Sequence, residues 1–185
     1  MKRTFWAVKI SEEARQLIRQ IYRDLPHLGA NIRLVPPENV HVTLKFLGDT
    51  EEKMIPSIVA SVQQEIESFP SFTYWCDGAG TFPNYKNPRI IYLGITEGLE
   101  KLREISNITE RIMEGFGYTR EKRAFTPHLT IGRVKNERKA LNEVKSFLRY
   151  TFEPIACSVS EVILFESTLT PQGAIYTPLR VIELK

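Results

Sequence analysis

Residues 37–48 read Pro37-Glu38-Asn39-Val40-His41-Val42-Thr43-Leu44-Lys45-Phe46-Leu47-Gly48, and this stretch decides the fold. Its centre is rich in β-branched and apolar residues, with turn formers at Pro36-Pro37 and Gly48, the pattern of a strand from Val40 to Leu47. Side chains on a strand alternate between its two faces. Val40, Val42, Leu44 and Phe46 therefore share the face expected to enter the core, while His41, Thr43 and Lys45 share the other. One imidazole and one hydroxyl project side by side.

The same arrangement recurs in Phe125-Thr126-Pro127-His128-Leu129-Thr130-Ile131-Gly132-Arg133. With 14 threonines in 185 residues, the chance that two of the three histidines have a threonine two places on is only about 2 in 100, so the pair is treated as a signal. If the two strands lie together across a pseudo-two-fold axis, two imidazoles face each other with two hydroxyls between them. Such a site suits a tetrahedral anion. The third histidine, in Leu25-Pro26-His27-Leu28-Gly29, sits at a helix exit with no partner motif and is expected on the surface.

The residue types fit a particular chemistry. Opening a cyclic phosphodiester requires water to lose a proton as it attacks phosphorus, and the departing sugar oxygen to gain one on the opposite side. An imidazole titrates near neutrality, so two of them divide that work without a metal or other cofactor. The Thr43 and Thr130 hydroxyls supply donors for the nonbridging oxygens. No carboxylate or cysteine stands at metal-ligand spacing around either motif, there is no Gly-x-x-x-x-Gly-Lys loop, and no serine occupies a nucleophile elbow.

Outward from the motifs, Thr4 to Ile10 reads as a strand, and Ser11 caps a helix whose Ala14, Leu17, Ile18, Ile21, Tyr22 and Leu25 keep helical spacing. A short strand is expected at Ile32 to Val35. Gly48-Asp49-Thr50 reads as a turn and cap before a second helix striped by Met54, Ile55, Ile58, Val59, Val62 and Ile66, with Pro56 delaying its start. Phe72 to Phe82 and Arg89 to Thr96 form an expected antiparallel pair about the turn Pro83 to Pro88. The second half repeats the plan: a helix over 97–115, a strand through His128, a helix near 137–149, and strands Val159 to Phe165 and Ala174 to Leu184 about a loop Ser167 to Gly173. The spacing predicts an α+β fold of two tightly fused lobes in a single domain, 1–185.

Composition narrows the class. A hydrophobic content of 42% supports a packed core. The net charge of +3 is a mild excess, so contacts with an anionic partner are expected to be local. Cys76 and Cys157 are sparse and outside any CxxC pattern, as in a reduced cytoplasmic protein. The apolar part of Met1 to Val8 is too short for a signal peptide, and no run approaches a membrane span. A monomer is expected.

Both motifs, with Arg3-Thr4-Phe5-Trp6-Ala7-Val8, Phe82-Pro83-Asn84, Arg89-Ile90-Ile91-Tyr92-Leu93-Gly94 and Gly173-Ala174-Ile175-Tyr176, closely resemble the landmarks of the RNA 2′,3′-cyclic phosphodiesterases, formerly called 2′-5′ RNA ligases, of the two-histidine phosphoesterase superfamily. The resemblance covers nearly the whole chain. It implies a bilobal fold with pseudo-symmetric antiparallel sheets lining a central groove and helices outside. It implies hydrolysis of a terminal cyclic phosphate on RNA ends or nucleotides to a 2′-phosphomonoester, with His41 as proton donor, His128 as proton acceptor, and Thr43 and Thr130 as phosphate ligands. Arg133 falls where the family often has a basic residue. On an unbroken strand it would face away from His128, unless Gly132 supplies a bulge that redirects it. Lys45 is placed by parity in the groove or in solvent. Arg120, Lys122 and Arg123 are candidates for an RNA backbone, and Tyr85 for a terminal base. Reversible ligation, opening of another cyclic nucleotide, and non-catalytic binding of RNA ends use the same motifs and stay open.

Overall fold

The computed structural model describes all residues, Met1 to Lys185. Nine strands run in chain order as β1 (Lys2–Lys9), β2 (Ile32–Leu34), β3 (His41–Thr50), β4 (Phe72–Phe82), β5 (Ile90–Glu97), β6 (Leu129–Val134), β7 (Ile155–Val159), β8 (Glu161–Thr170) and β9 (Gly173–Glu183). The α-helices are α1 (Glu12–Asp24), α2 (Ile55–Ile66), α3 (Leu99–Gly115) and α4 (Leu141–Leu148). The first sheet has the order β3-β1-β8-β9 and the second β2-β6-β5-β4-β7. All of their pairings are antiparallel.

Local sequence accounts for most of these elements. The Ser11 hydroxyl accepts from the Ala14 amide at 3.2 Å, starting α1, whose Ala14, Leu17, Ile18 and Ile21 are buried. Pro56 sits in the first turn of α2, where its missing N–H costs nothing, after a 3-10 turn at Glu52–Met54. The buried stripe of α2 is Ile55, Ile58, Val59, Val62 and Ile66.

Three boundaries differ from the sequence reading. Gly48-Asp49-Thr50 is not a helix cap: β3 continues to Thr50, pairing with β1 as far as Lys2, and Gly48 takes φ +71° within the strand. The Thr50 hydroxyl is buried 2.8 Å from that of Thr4 and receives a bond from Tyr118 Oη at 3.0 Å, which holds the segment extended. Ser167 to Gly173 is no open loop either, because the β8–β9 ladder continues to Thr170 opposite Gly173 around Pro171-Gln172. The strand expected from Val159 is two strands. The chain passes from the second sheet to the first at Ser160, so β7 and β8 belong to different sheets.

The sheets are not successive halves of the chain. The first joins β1 and β3 to the C-terminal hairpin β8–β9, and the second takes β2 from the N-terminal region. The helices are shared out in the same way. α2 and α3 pack on β9 and β3 of the first sheet, while α1 and α4 pack on β7 and β4 of the second. A single cluster of 38 buried apolar residues runs under both sheets, including Trp6, Val42, Ile58, Leu93, Leu102 and Ile131, so neither sheet owns a core of its own. A smaller cluster of Phe5, Ala7, Ile163 and Phe165, with Tyr176 against it, covers the opposite face of the first sheet, where His41 lies. No helix is long and apolar enough to cross a membrane.

Candidate active site

His41 opens β3 and His128 immediately precedes β6, and these two strands meet at the seam between the sheets. The imidazoles are held alike. His41 Nδ1 lies 2.7 Å from the carbonyl oxygen of Asn39, and His128 Nδ1 lies 2.7 Å from that of Thr126. A carbonyl only accepts, so each Nδ1 carries a hydrogen and each Nε2 is left free for chemistry. In both motifs the anchoring carbonyl belongs to the residue two places before the histidine, so each motif fixes its own tautomer.

Aromatic rings wall both imidazoles. The His41 ring centroid is 4.9 Å from that of Phe5 and 5.2 Å from that of Tyr176. That of His128 is 5.1 Å from Phe82 and 5.2 Å from Tyr92, which stack on each other at 4.5 Å. Gly80 makes this stack possible, since a Cβ there would overlap the Tyr92 ring. Burial among the rings disfavours the charged imidazolium and pushes the His41 pKa down to about 4; the Asn39 carbonyl opposes the shift, and the positive charges of Arg133 and His128 add to it. His128 is also lowered, first by burial and then by Arg133, against the Thr126 carbonyl. The two histidines and Arg133 therefore sense one another electrostatically.

Thr43 and Thr130 follow the histidines on the same face by strand parity, half-buried. The ladders then break in the same way on both strands. Trp6 pairs with Lys45 but Ala7 pairs with Thr43, which leaves Leu44 as an extra residue; Ile91 pairs with Gly132 but Tyr92 pairs with Thr130, which leaves Ile131 extra. Each bulge lets two consecutive residues face the core and reverses the parity beyond it.

Arg133 is thereby turned back to the face of Thr130, as expected if Gly132 marks a bulge. Gly132 points inward, where a Cβ would meet Ile32 Cγ2 at 2.7 Å and Ile91 Cγ1 at 2.9 Å, so a glycine is needed. The equivalent bulge on β3 overturns the expectations for Lys45 and Phe46. Lys45 faces the interior, 7% exposed, and its Nζ donates to Glu110 Oε2 at 2.8 Å and to the Thr119 carbonyl at 2.8 Å. Phe46, read as a core residue, stands 64% exposed with its ring 5.9 Å from that of Phe5. Parity counting missed Phe46 because only the register against β1 reveals the extra residue.

The other candidates are exposed side chains. His27 is exposed in the turn after α1. Arg123 pairs with Glu121 at 3.2 Å and Arg120 with Glu114 at 3.8 Å, both on the surface. Tyr85 is exposed in the turn between β4 and β5. Nowhere do three His, Cys, Asp or Glu side chains converge as a metal site would require. Cys76 and Cys157 are buried free thiols on the neighbouring strands β4 and β7.

Comparison with known proteins identifies the family and the fold. The family model of the 2′-5′ RNA ligase superfamily matches residues 9–170. A Methanothermobacter thermautotrophicus protein described as an RNA 2′,3′-cyclic phosphodiesterase is 36% identical over 184 residues, covering 98% of this chain and 98% of its own. A Thermotoga maritima protein of the same description is 33% identical over 181 residues, covering 96% and 92%. Among solved structures, Escherichia coli LigT complexed with 3′-AMP superposes with a TM-score of 0.79 at 24% identity, over 100% of this chain and 98% of LigT. The Thermus thermophilus protein TT0787 gives 0.80 at 24% identity, over 98% and 97%. These neighbours share the bilobal α+β fold.

Proposed function

The chain belongs to the 2′-5′ RNA ligase superfamily, and from that premise we propose that it is an RNA 2′,3′-cyclic phosphodiesterase, opening a terminal cyclic phosphate to a 2′-phosphomonoester by metal-independent acid–base catalysis. The observation that carries this reading is the matched pair of imidazoles, each locked through Nδ1 to a backbone carbonyl at 2.7 Å with Nε2 free. A site that only bound an anion would not need two such groups.

The cyclic phosphate lies between the histidines. Neutral His128 takes a proton from water through Nε2 as the oxygen attacks phosphorus, while protonated His41 delivers a proton to the departing 3′ oxygen on the far side. The low pKa of His41 suits the donor, because a weakly held proton is a readily given one. The free enzyme keeps His41 neutral near pH 7, and the negative charge of bound phosphate restores the proton. Neither the Thr43 nor the Thr130 hydroxyl is engaged elsewhere in the protein, so both are available to the nonbridging oxygens, with the Arg133 guanidinium adding fixed positive charge. Exposed Phe46 offers a base a flat face on the groove floor. We assign the chain to the cytoplasm as a monomeric, single-domain enzyme, with RNA ends or nucleotides bearing a cyclic phosphate as partners.

Digestion of a short RNA ending in a 2′,3′-cyclic phosphate, with chromatographic resolution of the two phosphomonoesters, tests the proposal. The expected product carries a 2′-phosphate and a free 3′-hydroxyl, at a rate unchanged by EDTA. A predominant 3′-phosphate reverses the donor and acceptor roles, chelator loss restored by a divalent ion removes the two-histidine mechanism, and absence of turnover removes the enzyme reading.

A further inference from the structure

Arg33 on β2 stands opposite Arg133 on β6 in the antiparallel ladder. Both side chains are exposed, and directly opposed residues project from the same face of a sheet. That face belongs to the groove, because the bulge at Ile131-Gly132 has returned Arg133 to the side of Thr130. The charge of Arg133 is felt at both imidazoles.

Two like charges set directly opposite each other are unfavourable in a ladder. Arg89, just before the adjoining strand β5, is held by Glu137 at 3.5 Å. Neither Arg33 nor Arg133 joins any ion pair in the protein. An anion lying along the pair would relieve the repulsion. β2 is the edge strand, so Arg33 lies one strand beyond Arg133 as counted outward from the motif strand β6. With one phosphate between the histidines and within the field of Arg133, Arg33 is set for the next phosphate along a nucleotide chain.

We infer that Arg33 is a second phosphate-binding residue, holding the phosphodiester on the 5′ side of the terminal nucleotide, so that the groove is built for an oligonucleotide end rather than a cyclic mononucleotide. This rests on the phosphodiesterase reading above. The arginine fork suits a phosphodiester, whose two free oxygens it meets with two parallel N–H bonds. Such a contact fixes register without reading the base.

Steady-state kinetics on a cyclic mononucleotide and on a dinucleotide with the same terminal cyclic phosphate test this, using wild type, Arg33→Ala and Arg33→Lys. The wild type is expected to favour the dinucleotide through a lower KM. Arg33→Ala should reduce that preference about 10-fold, leave kcat and KM for the mononucleotide unchanged, and flatten the salt dependence of the dinucleotide reaction by about 0.7 in the log–log slope. Arg33→Lys should recover part of the loss, as a point charge without the fork. A wild type with no dinucleotide preference, or a variant affecting both substrates equally or neither, overturns the inference while the phosphodiesterase reading stands. Failure of the wild type to turn over either substrate overturns both.

Discussion

His41 and His128 are chemically equivalent in their own motifs and differ only in what surrounds them. The proposed mechanism needs His41 protonated and His128 neutral in the same molecule, yet burial lowers both pKa values, that of His41 to about 4. In the free enzyme the protonated fraction of His41 falls about tenfold per pH unit above that value, while His128, lowered by burial, is neutral in more than half of the molecules by about pH 6.5. The profile of kcat/KM should therefore be a bell centred below about pH 6.5, the ordinary value of an imidazole. The kcat profile should lie at higher pH, because bound phosphate opposes the shift at His41. A kcat/KM that climbs steadily from about pH 6.5 to 9 would contradict the assignment. Substituting either histidine by alanine should lower kcat by about 10²–10⁴-fold, and near-wild-type turnover in both folded variants would remove the mechanism. The histidines and threonines were legible in the sequence because a two-residue spacing on a strand is a local property.

At the scale of the element, the two motif strands share a device, a bulge beginning three residues after each histidine. On β6 the inward position is glycine, and on β3 it is Lys45, whose charge is balanced by Glu110. The pair links β3 to α3 and, through the Thr119 carbonyl and the Glu121 amide that Glu110 accepts at 3.3 Å, to the segment leading into His128. Removing one partner of a buried ion pair leaves an uncompensated charge, so Glu110→Ala should cost about 3–5 kcal/mol in urea unfolding, whereas Lys45→Met combined with Glu110→Leu should be close to neutral. An unchanged midpoint for Glu110→Ala would mean that Lys45 finds water instead. The sequence placed Lys45 and Phe46 on the wrong faces because alternation propagates outward from His41 only while the ladder is unbroken, and the extra residue Leu44 inverts the faces until a second one, Leu47, restores them.

Over the whole molecule, the first sheet is completed by a hairpin more than a hundred residues from its other strands, and each sheet is covered by one helix from each half of the chain. Interleaving of this kind makes the core indivisible. A fragment ending at Ser160 keeps β1 and β3 but loses β8 and β9, exposing Trp6, Val8 and the α2–α3 face together. It should lack a cooperative thermal transition and near-UV circular dichroism, while the full chain melts in one step. A fragment that melted cooperatively would show that the second sheet and its helices form a core without the first.

By itself the sequence determined most of the elements, since hydrophobic period, caps and prolines act over a few residues, and it set a histidine and a threonine side by side in each motif, since strand alternation is local. Tertiary structure alone decided which strands share a sheet, where Ser160 hands the chain from one sheet to the other, and which faces Lys45, Phe46 and Arg133 occupy. Those outcomes depend on the register between segments distant in sequence. Hydrogen bonds to Trp6 and Ala7 displace Leu44, and those to Ile91 and Tyr92 displace Ile131. A local pattern carries no record of either partner.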